Sequence, residues 1–335
     1  MKISNQPLSY RYKKNFFINR SRFKKISDYI TKFEIDSHSS CPLCSYNKFT
    51  KIAEVDRVGF PCDTLICNKC GLVFNNSFIR NIGSLYSKDF SYERWEDPYE
   101  SFKKRTRGDA FSWRRYNFLK GYLKNKDTKN RILEIGCGDG CNLYPFFKEG
   151  ESVVGCDFSE DFLLPGREVG LDLRNGDFKE ILDQNSTFDI IMLVHSFEHF
   201  LDLNDQIQSI REFCSDETII YVEVPGIRNW NRIKSDFLSQ DGFVSSNNFL
   251  DFVQYQHNYN FELTTLTQFW ATCGFELLYG DEWVRAIFKP AKEIDSDWYS
   301  KVDIIKYLND IEKDYLFSKD HLREIKTNFR DLIRL

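Results

Sequence analysis

A glutamate and two histidines follow directly after an apolar run that ends at Val194, in the string His195-Ser-Phe-Glu198-His199. A histidine has an ordinary pKa of about 6.5, which suits proton transfer near neutral pH, and a glutamate can orient the imidazole or take the proton itself. We predict His199 as the leading general base, with Glu198 and His195 beside it. His257, further along the chain, is a weaker candidate.

The same string matches the H-x-x-E-H pattern of some metalloproteases. That pattern has to lie on a helix and needs a further ligand downstream, whereas this string follows a predicted strand. The protease interpretation is therefore the weaker one.

Four of the ten cysteines form two pairs, Cys41-Pro-Leu-Cys44 and Cys67-Asn-Lys-Cys70, with 22 residues between the pairs. A two-residue gap lets both sulfurs of a pair turn toward one ion, and four thiolates complete a tetrahedral zinc sphere. Such a site has no open position for water or substrate, so we predict structural Zn²⁺, with an iron–sulfur or other metal as the alternative. Cys62, between the pairs, lacks a partner at this spacing and is expected to be a packed thiol.

A glycine-rich turn follows another apolar run, in the segment Glu134-Ile-Gly136-Cys137-Gly138-Asp-Gly140. Glycines at these positions permit a tight turn and a close approach of the backbone to a ligand. The dinucleotide-binding fingerprint would require a glycine three residues after the second glycine, but a cysteine stands there. The turn therefore indicates a nucleotide-type ligand.

Short apolar runs alternate with helical stretches from residue 130 onward. The predicted strands are 131–136, 152–157, 188–194 and 218–224. Strands that alternate with helices form parallel sheets with both faces covered. We therefore predict an α/β fold with a Rossmann-like, doubly wound, mostly parallel sheet, whose strand ends bring the glycine turn and the histidine string to one edge.

The predicted sheet is one of five segments. A basic amino-terminal arm comes first, then a small zinc-ribbon-like domain, a helical connector, the sheet domain and a short helical tail. Their predicted boundaries are 1–37, 38–80, 81–129, 130–290 and 291–335.

The net charge of −4 gives the chain no overall attraction for nucleic acid, so a small-molecule substrate is favoured and nucleic acid is an unlikely partner. No apolar run approaches the length of a transmembrane helix, and residues 1–20 contain no signal-peptide core. We expect a cytoplasmic protein. The oligomeric state is not indicated.

The glycine turn and two later carboxylates resemble the motifs of class I S-adenosylmethionine-dependent methyltransferases. Asp157 ends the second predicted strand, where a carboxylate can bind both ribose hydroxyls, and Gly-Asp177-Phe178 follows in the expected order. The resemblance implies S-adenosylmethionine as cofactor, with Phe158 flanking the adenine; a nicotinamide enzyme is the weaker alternative. The implied cofactor-binding residues are Glu134, Gly136, Cys137, Gly138, Gly140, Asp157, Phe158, Asp177, Phe178 and His195.

The cysteine pairs together with this core, over about residues 38–290, are similar to zinc-containing sugar C-methyltransferases and related surface-polysaccharide enzymes. The resemblance implies methylation of a sugar or sugar-like glycan precursor, at oxygen or carbon, with Tyr86, Phe90 and Tyr92 near the acceptor. Carbon methylation is in doubt, because those enzymes carry a second large domain where about 45 residues follow Pro290 here. The alternatives are an rRNA or tRNA methyltransferase that grips RNA with the zinc domain and basic arm, and an inactive zinc-containing interaction module.

Overall fold

The computed structural model describes residues 35–56, 61–79, 97–124, 128–229, 253–292 and 304–308. The strands are β1 (Ile35–Asp36), β2 (Phe49–Val55), β3 (Pro61–Cys67), β4 (Val73–Asn75), β5 (Phe78–Ile79), β6 (Arg131–Ile135), β7 (Ser152–Asp157), β8 (Asp172–Asn175), β9 (Phe188–Val194), β10 (Cys214–Glu223), β11 (Tyr259–Asn260), β12 (Phe275–Gly280) and β13 (Arg285–Pro290). The α-helices are α1 (Pro98–Arg105), α2 (Phe111–Leu119), α3 (Tyr144–Lys148), α4 (Glu160–Glu168), α5 (Phe178–Ile181), α6 (Leu203–Arg211) and α7 (Leu263–Thr272).

The largest sheet has seven strands in the order β12-β13-β10-β9-β6-β7-β8. Strands β6 to β10 pair in parallel, and β12 and β13 add an antiparallel edge. The central strand β9 has the sequence FDIIMLV and is buried along almost its whole length, as a strand covered on both faces must be. The predicted parallel-rich α/β sheet is confirmed, although β10 begins at Cys214 rather than at residue 218.

The direction of strand addition reverses between β6 and β9. From β6 the chain adds β7 and β8 on one side, and then crosses back to add β9 and β10 on the other. At such a switch point the connections leave the carboxyl ends of the strands in opposite directions and open a crevice. The glycine turn after β6 and the histidine string after β9 flank this crevice.

A second sheet joins the cysteine-bearing region to the rest of the molecule. Its order is β11-β4-β3-β2, and β11 pairs antiparallel with β4 through Tyr259 opposite Phe74 and Asn260 opposite Val73. Phe74, Tyr259 and the Cys70 side chain belong to one buried cluster that also contains residues of the large sheet. The cysteine-bearing region thus shares a sheet and a core with the later chain.

Several predictions from the sequence concern residues outside the described ranges. These are the basic arm up to residue 34, the proposed acceptor residues Tyr86, Phe90 and Tyr92, and most of the tail. The described part of the tail is helical over 304–308, and its Ile304 and Leu308 pack in one buried cluster with residues of the second sheet. None of the helices in the described ranges combines the length and the apolar composition that a bilayer crossing requires.

Candidate active site

The loops that follow β6 and β9 touch at the switch point. Ser196 donates a hydrogen bond from Oγ to the Ile135 carbonyl at 2.8 Å, and a Cβ added to Gly136 would lie 2.5 Å from the Ser196 Cβ. Gly136 also has a φ of +75°, which favours glycine. The glycine turn can approach Ser196 this closely only because position 136 carries no side chain.

Asp157, the last residue of β7, holds the glycine turn in place. Its Oδ2 accepts from the Gly138 amide at 2.9 Å, and its Oδ1 accepts from the Ser159 amide at 2.9 Å. Burial raises the pKa of Asp157, and these backbone donors oppose that effect. The next ring, Phe158, is 39% exposed, so an apolar face stands open beside the carboxylate.

Glu134 lies one residue before the end of β6 and is 0% exposed. Its Oε1 accepts from Asn142 Nδ2 at 2.7 Å, whereas its Oε2 has no hydrogen-bond partner in the described structure. Burial raises the pKa of Glu134 to about 8, against the lowering effect of Asn142 and Arg115. A buried carboxyl oxygen without a partner is ready to receive a donor from a ligand.

The carboxylate of Glu223, at the end of β10, is held by two other side chains. Arg115 of α2 donates to both of its oxygens at 2.7 Å, and Tyr221 Oη donates to Oε2 at 2.6 Å. Burial alone would raise the pKa of Glu223, but Arg115 and His195 hold it well below its ordinary value. Glu223 is therefore a fixed negative charge facing the histidine string.

The first histidine of the string lies between two carboxylates. His195 Nε2 is 3.5 Å from Glu223 Oε1, and Nδ1 is 3.8 Å from Glu198 Oε1. Burial lowers the pKa of His195, but the two carboxylates outweigh this and raise it to about 9. Its side chain remains 49% exposed and its φ is +54°, an uncommon value for a residue other than glycine. At neutral pH this imidazole is a cation and a hydrogen-bond donor, which makes it a poor general base.

Glu198, His199 and His257 form a compact cluster next to His195. One ligand-type atom of each side chain lies within 4.8 Å of the other two, and the imidazoles of His199 and His257 meet edge to face at 4.9 Å between centroids. Glu198 is 1% exposed, and neither of its carboxylate oxygens has a hydrogen-bond partner among the described residues. Burial would raise the pKa of Glu198, but the imidazoles of His195, His199 and His257, with His195 first, lower it to about 2. The cluster therefore combines a buried carboxylate ion with two imidazoles.

Segment 253–261 supplies His257 and also supports His199. Asn258 Nδ2 donates to the His199 carbonyl at 2.7 Å, and the Gln256 carbonyl lies 2.9 Å from His199 Nδ1. The segment itself is held by Asn75 of β4, whose Nδ2 donates to the carbonyls of Gln254 and His257 at 2.8 and 2.7 Å. The second sheet thus fixes the position of the cluster.

The four predicted metal ligands converge at the start of this second sheet. Cys41 Sγ lies 3.5 Å from Cys70 Sγ, and Cys44 Sγ lies 3.5 Å from Cys67 Sγ. All four sulfurs lie within 4.8 Å of one another, whereas four thiolates on one zinc ion stand about 3.8 Å apart. The cluster has the size and the donor set for Zn²⁺, and Cys62 is not part of it.

Two predicted cofactor residues have other contacts. Asp177 caps α5 by accepting from the Lys179 amide at 3.0 Å. Phe178 is buried and packs edge to face on Phe213, so its ring belongs to the core. The first α-helix after the glycine turn is α3, which begins at Tyr144.

Reasoning from the sequence missed two arginines of the helical connector that bind acidic residues of the site. Arg115 binds Glu223, and Arg105 of α1 donates to Asp139 in the glycine turn. Glu223 carried a recognisable signal, since it is an acid at the end of an apolar strand, as Asp157 is. The arginines carried none, because a basic residue on an amphipathic helix is usually solvated.

The chain matches a family model described as "Methyltransferase domain" over residues 103–279, just over half of its length. Over 98 residues it is 33% identical to the ubiquinone biosynthesis O-methyltransferase of Chelativorans sp. (strain BNC1), which is 28% of this chain and 39% of that protein. The protein of the same name from Pelagibacter ubique (strain HTCC1062) is 27% identical over 142 residues, which is 39% of this chain and 59% of that protein.

Among solved structures, plantazolicin methyltransferase BpumL in complex with SAH aligns with a TM-score of 0.46 and 17% identity, over 64% of this chain and 95% of that chain. The chain spans only part of the curated relatives that it matches, 39% and 59% of their own length.

Proposed function

Since the chain belongs to the methyltransferase-domain family, we propose that this S-adenosylmethionine (SAM)-dependent methyltransferase methylates a hydroxyl group of a sugar or sugar-like glycan precursor. The observation that carries the proposal is the contact between Gly136 and Ser196. It puts the glycine turn and the Glu198–His199 pair beside one crevice, as transfer from a bound cofactor to a bound acceptor requires.

We assign the cofactor to the wall formed by β6 and β7. Asp157 would hold the ribose hydroxyls, since each of its oxygens keeps a lone pair after accepting one backbone amide. Phe158 would flank the adenine, and the free Oε2 of Glu134 would receive the amino group of the methionine part. When bound, the cofactor supplies a methyl group on a positively charged sulfur.

We assign the acceptor to the wall formed by the Glu198–His199–His257 cluster. Methyl transfer forms a bond from the acceptor oxygen to the methyl carbon and breaks the carbon–sulfur bond, whose electron pair stays on sulfur. The hydroxyl proton has to leave, and the cluster is the group that promotes its loss, with His199 as the leading base. His195, as a cation at neutral pH, would donate a hydrogen bond rather than accept the proton.

Two considerations support an oxygen atom of a polar, hydroxyl-bearing acceptor. The curated relatives are named O-methyltransferases, and the similarity of the cysteine pairs plus core to sugar enzymes supports a sugar. None of the ten cysteines is in a disulfide, which supports a reducing compartment such as the cytoplasm, and the convergence of Cys41, Cys44, Cys67 and Cys70 supports a zinc ion at these four sulfurs.

The acceptor class can be tested by supplying purified enzyme and SAM with a methyl label to three sets of acceptors. These are nucleotide-activated sugars, catechol-type phenols, and total transfer and ribosomal RNA. We expect label in the sugar set. Label only in RNA would contradict the sugar proposal and favour the RNA alternative, and label only in the phenols would contradict the sugar proposal and favour an aromatic acceptor.

We expect His199→Asn to lower kcat by at least about 100-fold, because general-base catalysis contributes roughly 10²- to 10⁴-fold. Cofactor affinity should stay unchanged, since His199 lies on the acceptor wall. Single-turnover methylation and calorimetric titration with SAM measure the two effects. His38→Asn, which alters a histidine whose ring centroid lies 4.5 Å from that of Phe78 in β5, is the matched control and should keep kcat. Equal kcat in the two variants would contradict the assigned role.

Cofactor binding should release a proton from Glu134. The pKa of Glu134 in the folded free enzyme is about 8. This carboxyl therefore stays protonated at pH values at which an exposed glutamate has already lost its proton. The ammonium group of SAM favours the ionised form, so affinity should rise with pH, by up to about tenfold per unit below pH 8. Titrations from pH 6 to 7.5 in buffers of different ionisation enthalpy measure it.

Glu134→Gln should bind SAM with an affinity that is flat over the same pH range. An unchanged slope in this variant would show that another group titrates. The same shift makes the free protein lose stability as pH rises from the unfolded pKa toward 8, since the unfolded chain then releases a proton that the folded chain keeps.

A further inference from the structure

We propose that Glu198, His199 and His257 bind a divalent transition-metal ion of the Zn²⁺ class, separate from the four-cysteine site. The inference rests on the proposed function, because it assigns to this ion the activation of the acceptor oxygen. Two imidazoles and one carboxylate, with further positions open, are a ligand set that proteins use for catalytic zinc and for non-haem iron.

The first argument is the state of Glu198. Its carboxylate is 1% exposed, and neither oxygen accepts a hydrogen bond from the described residues; the imidazole nitrogens of His195 and His199 stand 3.8 and 3.9 Å from Oε1. A buried carboxylate that makes no hydrogen bond is costly, so a folded protein keeps one only where a nearby positive charge compensates it. Its oxygens point toward the imidazoles of His199 and His257, and the three groups already lie within 4.8 Å.

The second argument is the orientation of His199. Its Nδ1 lies 2.9 Å from the Gln256 carbonyl, so Nδ1 carries the proton and donates it to that oxygen. The lone pair is then on Nε2, which is 3.9 Å from Glu198 Oε1. A backbone carbonyl on the remote nitrogen is the usual support of a metal-bound histidine, because it fixes the tautomer and the ring plane. Ligands on one zinc ion stand about 3.3 Å apart, so the cluster needs to close by roughly 1 Å.

The third argument is how rigidly the ligands are held. Glu198 and His199 come from the 3₁₀ turn Phe197–His199 after β9, and His257 comes from a segment held by Asn75 and paired with β4. Three protein ligands leave a coordination position of such an ion for an acceptor oxygen. A bound cation lowers the pKa of a coordinated hydroxyl, as zinc lowers that of water from 15.7 to about 7. The proton can then leave to solvent, so that with the ion bound His199 acts as its ligand, in place of the role of free base assigned to it above.

The experiment uses the full chain with Co²⁺ as the probe. After dialysis against a chelator that leaves the tightly held four-cysteine zinc in place, we expect one further Co²⁺ per chain, detected by absorption and by elemental analysis. Glu198→Gln and His257→Ala should each weaken Co²⁺ binding by at least about 100-fold, as loss of one of three ligands requires. SAM affinity, measured in the same samples, shows that the variants are folded.

Two control variants separate coordination from general electrostatics. Glu180→Gln removes an exposed carboxylate on α5, and His195→Asn removes the imidazole next to Glu198 that is outside the ligand set. Both should bind Co²⁺ at least as well as wild type. Absence of a second Co²⁺, or equal binding by Glu198→Gln and Glu180→Gln, would overturn the metal site. Methyl transfer by a protein without the second ion would do so as well, and would leave the proposed function standing.

Discussion

Stripping the proposed zinc ion from the four-cysteine cluster will abolish methyl transfer, although the four cysteines are not among the residues assigned to cofactor or acceptor. Strand β4 connects the four-cysteine cluster to the segment of His257. Its Asn75 donates to the carbonyls of Gln254 and His257, and its Phe74 pairs with Tyr259. A structural zinc contributes on the order of 10 kcal/mol to the folding of a small module, so β4 will not keep its geometry without it. His257 and the support of His199 would then be lost.

Cofactor binding should survive this treatment to a large extent. Glu134 lies on β6, Asp157 ends β7 and the glycine turn follows β6, all in the seven-stranded sheet rather than in the second sheet. We therefore expect the metal-free protein to bind SAM within about fivefold of the wild-type affinity, because the hydrogen bonds described for Glu134 and Asp157 do not involve the second sheet and sites that are not directly linked behave nearly independently. Calorimetric titration and a methylation assay on the same metal-free sample separate the two effects.

The cysteine variants sharpen the test. Cys41→Ser and Cys70→Ser should behave like the metal-free protein, while Cys62→Ala, a buried cysteine outside the cluster, should keep both metal and turnover. Asn75→Ala should lower turnover while the metal stays bound, because it breaks the connection without touching a ligand. Full activity after metal removal would refute the connection.

Asp157→Asn will lower SAM affinity by roughly 100- to 10,000-fold. The carboxylate fixes the glycine turn through the amides of Gly138 and Ser159 and is assigned to the ribose hydroxyls. The amide variant presents one NH₂ group where an acceptor is needed, so about two hydrogen bonds to a charged group are lost, at about 1.5–3 kcal/mol each. The isosteric change leaves the core volume unchanged.

Asp172→Asn is the matched control for this variant. Asp172 lies on the edge strand β8 and binds Arg174 at 2.7 Å on the exposed surface. Its loss should leave SAM affinity unchanged, since surface ion pairs contribute little. Equal affinity of the two variants would remove Asp157 from the cofactor site.

The sequence predicted the sheet because its strands are buried on both faces and hence almost uniformly apolar. The runs at 131–136, 152–157 and 188–194 were found to within one residue. The glycine turn and Asp157 could be found for the same reason, since they stand at the ends of such runs. Strand β10 was found too short, because its start, Cys214-Ser-Asp-Glu, is polar and partly exposed.

The contacts that join distant parts of the chain could not be predicted. Strand β11 is two residues long, too short to give a periodic signal, and its partner β4 lies far earlier in the sequence. Asn75 reads as an ordinary turn residue, yet it is fully buried and holds the segment of His257. Arg115 was likewise indistinguishable from solvated charges on α2. Side chains of this kind act through tertiary contacts, which local pattern does not encode.

The pairing of β4 with β11 also bears on how the chain is made. A ribosome delivers β2, β3 and β4 early, and the outer side of β4 then has no neighbour until Tyr259 and Asn260 emerge. In such a nascent chain, the backbone N–H and C=O groups on this side of β4 are unpaired and can bind another extended polypeptide. Chains that terminate between these two strands should therefore aggregate. In the completed chain, β11 pairs with β4 and satisfies these backbone groups.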